Sequence, residues 1–386
     1  METIEIRPIN QDKELDEALD LWSGVFPKSR AFFEQRIRLD PECGDETTWI
    51  ARVNGKLAGA VQIFPLLLSY NGLILKCGGI GNVAALPEYR GRHLIRTILK
   101  HQTEWMADHG YDLSLLFTGI NSFYKKEGWH TFRVNRLLLN VNELPEIEVS
   151  HRYKIRDFEE RDLIQVQHVY KVFNALQVGS VIRTDEYWHG QLTWRKERNE
   201  KFLNAFDEDT LVAYMRYETT GEGRLDLVEC CFLPGHEGAA LTLINRIKTI
   251  GANVQSLCVQ FSEQHFLQTL FKKWGAHAEA YSGTMWKIVR FQEFCKKIQP
   301  VLSKRCKPIG DASLLIRSGM EEAVIHLEGG AVAIETPGES VICQCLIERK
   351  PEDFIMDVLV GTSLDQEQYA SLFPKTSYGF CQSDRF

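Results

Sequence analysis

Arg90, Arg92 and Arg96 crowd into one short stretch, Tyr89-Arg90-Gly91-Arg92-His93-Leu94-Ile95-Arg96. An apolar run from Cys77 to Leu86 precedes it and reads as a strand. Pro87 has no N–H to give, so strand pairing stops there. Beyond the arginines, Leu94, Ile98, Leu99, Thr103 and Met106 recur at helical spacing, and Gly91 to His109 reads as a helix. A strand that feeds a basic turn at a helix N-terminus is a ready anion site. Free backbone N–H groups and the positive end of the helix dipole point at the same volume. Arginine adds planar, bidentate contacts to phosphate. A pyrophosphate suits this turn. Taken alone, the same residues also fit an ordinary basic turn between a strand and a helix.

The elements around this turn alternate strand and helix. Thr3 to Pro8 reads as a strand, and Asp12 to Phe26 as a helix with Leu15, Ala18, Leu19, Trp22 and Phe26 on one side. Two Asn-Gly pairs, Asn54-Gly55 and Asn71-Gly72, mark hairpins between strands Thr47 to Val53, Leu57 to Phe64 and Leu73 to Leu86. Tyr111 to Phe117 is an apolar strand, Asn121 to Glu127 a short helix ended by Gly128, and Trp129 to Val141 a returning strand. Asn142 to Ser150 reads as a linker. From about His151 to Arg290 a similar order of elements returns without close residue identity, as a diverged internal duplication would. Its opening strand contains Tyr153-Lys154-Ile155-Arg156, and its helix start, Pro234-Gly235-His236-Glu237-Gly238, has acid where arginine is wanted. The last segment, from Phe291, has α+β composition. Phe291 to Gln299 is expected as a helix stopped by Pro300. Strands follow at Ala323 to Leu327, Ala331 to Ile334 and Val341 to Cys345, then helices near Pro351 to Val360 and Asp365 to Leu372.

Composition narrows the function. The chain has 386 residues, enough for two or three domains. Its formal net charge of −7 disfavours general nucleic-acid binding, which wants a basic footprint. No apolar run reaches the ~18 residues of a membrane-spanning helix, and Met1-Glu2-Thr3-Ile4-Glu5 is acidic, unlike a signal peptide. The ten cysteines form no C-x-x-C, and most lie in apolar runs, as reduced buried thiols of a cytoplasmic protein would. The eleven histidines form no H-E-x-x-H, so no bound metal is expected.

The second half of the informative block is Gly119-Ile120-Asn121-Ser122-Phe123-Tyr124-Lys125-Lys126-Glu127-Gly128-Trp129. The whole arrangement resembles the GNAT superfamily of N-acetyltransferases. That family's phosphate turn reads R/Q-x-x-G-x-G/A after a strand, and its next helix carries Y-x-x-x-G-F/Y. Here these become Arg90-Gly91-Arg92-His93-Leu94-Ile95 and Tyr124-Lys125-Lys126-Glu127-Gly128-Trp129. Val83-Ala84-Ala85-Leu86-Pro87-Glu88-Tyr89-Arg90-Gly91-Arg92 further resembles the V-T-V-x-P-x-x-R-R-R turn of the enhanced intracellular survival family. The fold class so implied is α/β with α+β character: two tandem GNAT-like mixed-sheet domains and a sterol-carrier-protein-like α+β domain. On this chain they would be a catalytic domain at 1–148, a degenerate GNAT-like domain at 149–290, and the carrier-like domain at 291–386.

The resemblance places acetyl-CoA along Val83, Ala84 and Ala85, around Gly91, Arg92, His93, Leu94, Ile95 and Arg96, and beside Gly119 and Ile120. It implies direct acetyl transfer to a primary amine of a small acceptor in a cytoplasmic homo-oligomer, without metal. A backbone N–H at the strand end can face the thioester oxygen as it gains charge. His93 stands where the family has glycine. If that position needs a positive φ, a side chain there costs on the order of 1 kcal/mol. A non-catalytic protein that binds CoA or another small ligand on the same scaffold is the alternative.

The resemblance also names an acid and a base. Tyr124 would protonate the departing thiolate. A thiol near ~8.5 and a phenol near ~10 make full transfer uphill by about 2 kcal/mol, unless Lys125, Lys126 or a helix end acidifies the phenol. The base would be the α-carboxylate of Phe386, which must be desolvated, act through water, or position an amine that arrives neutral. Asp40, Glu42, Asp45 and Glu46 form an acidic loop where a cationic acceptor, such as an aminoglycoside or a polyamine, could sit. A solvated charge run reads equally well.

Overall fold

The computed structural model describes all residues except 1, 148–149, 176, 221–222, 251–253, 308, 319–320, 336–346, 350–358, 363 and 375–378. The chain forms two compact units that interleave along the sequence. The first comprises residues 1–67, 73–132 and 282–376; the second comprises 68–72, 133–281 and 377–386.

The first unit begins with β1 (Ile4–Pro8), α1 (Gln11–Val25), α2 (Arg30–Leu39), β2 (Thr48–Val53), β3 (Lys56–Tyr70) and β4 (Leu73–Ala85). α3 (Leu94–Asp108), β5 (Leu113–Phe117) and α4 (Asn121–Lys125) follow, and with β6 (His130–Asn140) the chain passes into the second unit. Both Asn-Gly pairs turn with positive φ, at 50° and 79° for Asn54-Gly55 and 49° and 84° for Asn71-Gly72. These are the conformations that a two-residue hairpin requires and that Asn and Gly tolerate. Ile98, Leu99 and Met106 of α3 pack on Val61, Ile63, Ile80 and Leu116 of the sheet.

The second unit contains β7 (Tyr153–Asp157), α5 (Leu163–Asn174), α6 (Asp185–Trp194), β8 (Lys201–Asp207), β9 (Thr210–Thr220) and β10 (Arg224–Phe232). It continues through α7 (Glu237–Ile250), β11 (Ser256–Val259), α8 (Phe266–Lys273) and the start of β12 (His277–Ile288). The helices α5 and α6 were not expected from the sequence, nor was β12.

β12 decides how the first unit closes. Its residues Thr284 to Ile288 pair antiparallel with Phe117 to Leu113 of β5. The sheet order in the first unit is therefore β1-β2-β3-β4-β5-β12. In the second unit, β6 fills the matching place beside β11, in the order β6-β11-β10-β9-β8-β7. Each unit thus takes its closing strand from a distant stretch of chain.

α9 (Phe291–Arg305) runs through Pro300 rather than stopping before it. Phe291, Phe294, Cys295, Ile298, Val301 and Leu302 make one buried stripe across the proline, and its burial outweighs the hydrogen bond lost there. Then come β13 (Ala312–Ser318), β14 (Glu321–Glu328), β15 (Ala331–Glu335), β16 (Ile347–Arg349), β17 (Leu359–Thr362) and α10 (Gln366–Leu372). The strands form a five-stranded sheet, β15-β14-β13-β17-β16. The strand expected at 341–345 lies outside the described residues, as does 351–358. The helix expected through Val360 is corrected at its end, because Leu359 to Thr362 pairs with β13. Lys297 of α9 ties this segment to the first unit's sheet through Asp112, at 2.5 Å. The described cysteines are all free and, Cys381 apart, buried. Among the described residues, no helix is long and apolar enough to cross a membrane.

Candidate active site

The site begins where two strands part. β4 and β5 pair in parallel from Cys77–Leu113 to Ile80–Leu116, and the ladder stops there although β4 continues to Ala85. Asn82 adopts φ 51° just beyond the last pair, a left-handed kink that asparagine tolerates. The backbone of Val83 to Ala85 is thereby released from β5, leaving strand groups able to meet a ligand. At the end of β4, Pro87 to Tyr89 makes a single 3-10 turn. Gly91 follows at φ 78° and His93 at φ 61° before α3 begins. The positive φ anticipated for residue 93 is therefore present, in a non-glycine residue. His93 gives no side-chain cap to α3, so the first-turn N–H groups of Leu94, Ile95 and Arg96 stay open in the way a helix start dictates.

These residues line one groove of about 480 Å³. Val83, Ala85, Gly91, Arg92, His93, Leu94, Ile95, Arg96, Ile120 and Tyr124 all face it, with Tyr89, Arg90 and Phe123. Ala84 alternates to the opposite face and is buried, and Gly119 does not line the groove. Phe386 belongs to the second unit, whereas Tyr124 belongs to the first. Its assignment as a base rests on the resemblance alone.

The arginines differ in how freely they can meet an anion. Arg92 is paired with Glu2 and lies over the Tyr89 ring. Arg96 reaches Glu127 at 3.2 Å and lies over the Phe123 ring. Arg90 donates a long bond of 3.3 Å to the Ala85 carbonyl and is exposed. Two of the three charges are therefore balanced by carboxylates, and the amides of the turn carry more of the anion attraction than the sequence suggested. Glu2, Glu127, Tyr89 and Phe123 were not anticipated as part of the site. Phe123 and Glu127 stand inside the Tyr124 motif, so that spacing was the available signal.

Tyr124 sits on α4 with its side chain buried against Phe123 and Trp129, ring centroids 5.0 and 6.4 Å away. Burial pushes its phenol up to about 12. Neither neighbouring lysine nor the helix end acidifies it. In the acidic loop, Asp40 is buried and raised by that burial, with Arg36 pulling the other way. Asp45 accepts the Gln11 amide at 3.1 Å. The Asp40 carboxylate is thus turned into the protein, whereas Asp45 is exposed.

The second unit repeats the local architecture with different chemistry. Phe271-Lys272-Lys273-Trp274-Gly275 closes as Tyr124-Lys125-Lys126-Glu127-Gly128 does. Ala276 N–H donates to Phe271 C=O at 2.9 Å, and Trp129 N–H to Tyr124 C=O at 3.1 Å. Both glycines turn at positive φ, 86° and 91°. Phe271 has no hydroxyl to offer. At the start of α7, the Tyr153 ring packs against Gly238, and its hydroxyl lies 3.4 Å from His236 Nδ1. The Tyr/Phe correspondence was legible in the sequence as Y-K-K-x-G against F-K-K-x-G.

Residues 5–132 match the acetyltransferase (GNAT) domain family. This stretch is a GNAT domain. The groove, the parted strands and Tyr124 all lie within it. No curated protein matches the chain by sequence. Among solved structures, the fold is similar over its whole length to an Enterococcus faecalis V583 protein of unknown function described as a probable N-acyltransferase. The identity is 19%, all of both chains are covered and the TM-score is 0.75. A GCN5-related N-acetyltransferase from Anabaena variabilis ATCC 29413 is 15% identical over all of both chains, with a TM-score of 0.72. Eis1 from Mycobacterium abscessus is 13% identical over 86% of this chain and 85% of its own, with a TM-score of 0.60. At these identities the likeness is one of fold, a mixed α/β architecture. The GNAT domain of this chain is its part with a sequence-level match.

Proposed function

We propose that the protein transfers an acetyl group from acetyl-CoA directly to a primary amine of a small, cationic acceptor. One observation supports this most: the open amides of the Gly91–Arg96 turn and the Tyr124 side chain line the same groove. Amides at a helix start suit a diphosphate. The released backbone of Val83 to Ala85 suits the amide-bearing arm of the coenzyme. An N–H there would stabilise the oxygen of the thioester as the amine attacks and the C–S bond then breaks.

Tyr124 is the acid for the departing sulfur. Full transfer from a phenol near 12 to a thiolate of ordinary basicity, near ~8.5, would cost about 5 kcal/mol. The same burial that raises the phenol raises the basicity of a thiolate leaving beside it, which narrows the gap. The phenol therefore acts by a hydrogen bond that strengthens as the C–S bond breaks, with the proton moving late. We assign the base to the α-carboxylate of Phe386 on the family resemblance. Appending one residue after Phe386 should abolish turnover, and undiminished turnover would remove that assignment.

The test is calorimetry with acetyl-CoA, followed by free-thiol release against an amine panel. Tyr124→Phe should retain coenzyme binding and lose about 100- to 1,000-fold in thiol release. A second reading, a CoA-binding protein without turnover, draws support from His93 in the turn and from the carboxylates already paired with Arg92 and Arg96. Binding without thiol release across the panel would favour it. Absence of binding would exclude both.

A further inference from the structure

Lys287 is a lysine folded inward from β12, the strand that closes the first unit's sheet. It pairs opposite Ser114 of β5. Its ammonium Nζ donates to the Glu127 carbonyl at 2.9 Å and to Thr103 Oγ1 of α3 at 3.2 Å. It also lies over the Trp129 indole, 4.5 Å from the ring centroid. The stem is equally constrained: a Cβ on Gly128 would stand 3.3 Å from Lys287 Cε. Gly128 is held to glycine by its φ of 91°, and a Cβ there would press on the lysine stem.

These contacts join two elements that must keep a fixed separation. α3 begins at the anion turn, and α4 carries Tyr124. Glu127 binds Lys287 with its carbonyl and Arg96 with its carboxylate, so one residue connects the lysine to the groove.

We propose that Lys287 is a positioning residue for acetyl transfer, clamping the α4 turn to α3 so that the Tyr124 phenol keeps its place over the groove. This rests on the reading of Tyr124 as the acid. The ammonium form makes the clamp, because only the charged group attracts the indole face while donating to both oxygens. Burial pushes Lys287 down to about 8, opposed by Glu127 from the α4 turn and by Glu321 from β14, the acidic groups facing it. The charge is present below that pH and is lost as pH rises through it.

The experiment compares the full-length protein with Lys287→Met and Lys287→Arg. Steady-state thiol release, acetyl-CoA calorimetry and the fluorine resonance of 3-fluorotyrosine placed at residue 124 are measured together. Lys287→Met should lower kcat by about 10- to 100-fold, the scale on which small misplacement acts, with the dissociation constant of acetyl-CoA changed less than about threefold. It should also move or broaden the fluorine resonance. Lys287→Arg should restore most of kcat and remove an alkaline loss near pH 8 that the native protein shows, since guanidinium does not titrate there.

Native kcat in Lys287→Met, or an unchanged resonance at residue 124, would overturn the proposal. So would equal alkaline profiles for the native protein and Lys287→Arg, a comparison that stands if Lys287→Met fails to fold. If Tyr124→Phe turns over normally, the acid reading fails instead. The fluorine resonance still reports whether Lys287 holds residue 124.

Discussion

His93 concentrates the chemistry of the turn in one residue. Its φ of 61° and ψ of 10° belong to the left-handed region, where a side chain costs on the order of 1 kcal/mol that glycine avoids. The imidazole is exposed and faces the groove that the coenzyme needs. His93→Gly should relieve the strain, clear the groove and tighten acetyl-CoA binding by about tenfold, as calorimetry would show. Weaker binding in that variant would instead make the imidazole a donor to the anion. At this scale the sequence spoke clearly about position and poorly about environment. The spacing of Gly91, Arg96 and Tyr124 was readable. That Glu2 would neutralise Arg92, or that Tyr124 would be buried without a cation beside it, depends on contacts that spacing does not encode.

Among the elements, the hairpins and the strand-turn-helix from β4 to α3 were legible because Asn-Gly pairs, Pro87 and a 3.6-residue apolar period act locally. The strand β12 and the helix through Pro300 were not, because tertiary packing decided both. The surroundings of Asp384 make the same point. Asp384 is fully buried, and Arg183 donates to it from Nε at 2.9 Å and Nη2 at 2.8 Å while also binding Glu229. Arg183 is sandwiched between the Tyr170 and Trp188 rings, 3.9 and 4.4 Å from their centroids. Burial alone would raise Glu229, yet Arg183 and Arg216 outweigh it and hold that carboxyl at about 2. The sulfur of Cys381 and carboxylate oxygens of Glu229 and Asp384 lie within 4.8 Å of one another, but the cation these carboxylates hold is a guanidinium. Asp384→Ala leaves Arg183 paired with Glu229 but strips two buried donors of their acceptor, so it should destabilise the second unit by about 1–3 kcal/mol. Chemical denaturation followed by tryptophan fluorescence would measure it. A loss below about 1 kcal/mol would mean that water reaches Arg183.

For the whole molecule, the repeated order of elements was visible before any coordinates, while the exchange of closing strands between distant stretches was not. Local periodicity names a strand but not its neighbour. The exchange has a consequence for function: the edge of β5, beside the groove, is completed by residues from near position 285, far from the matched 5–132 stretch. The most direct measurement is a crystal structure after soaking with acetyl-CoA. The diphosphate should lie on the amides between Gly91 and Arg96, with the thioester sulfur within hydrogen-bonding reach of the Tyr124 hydroxyl. A groove filled by the His93 imidazole, with the coenzyme absent or bound elsewhere, would contradict the acetyl-transfer reading.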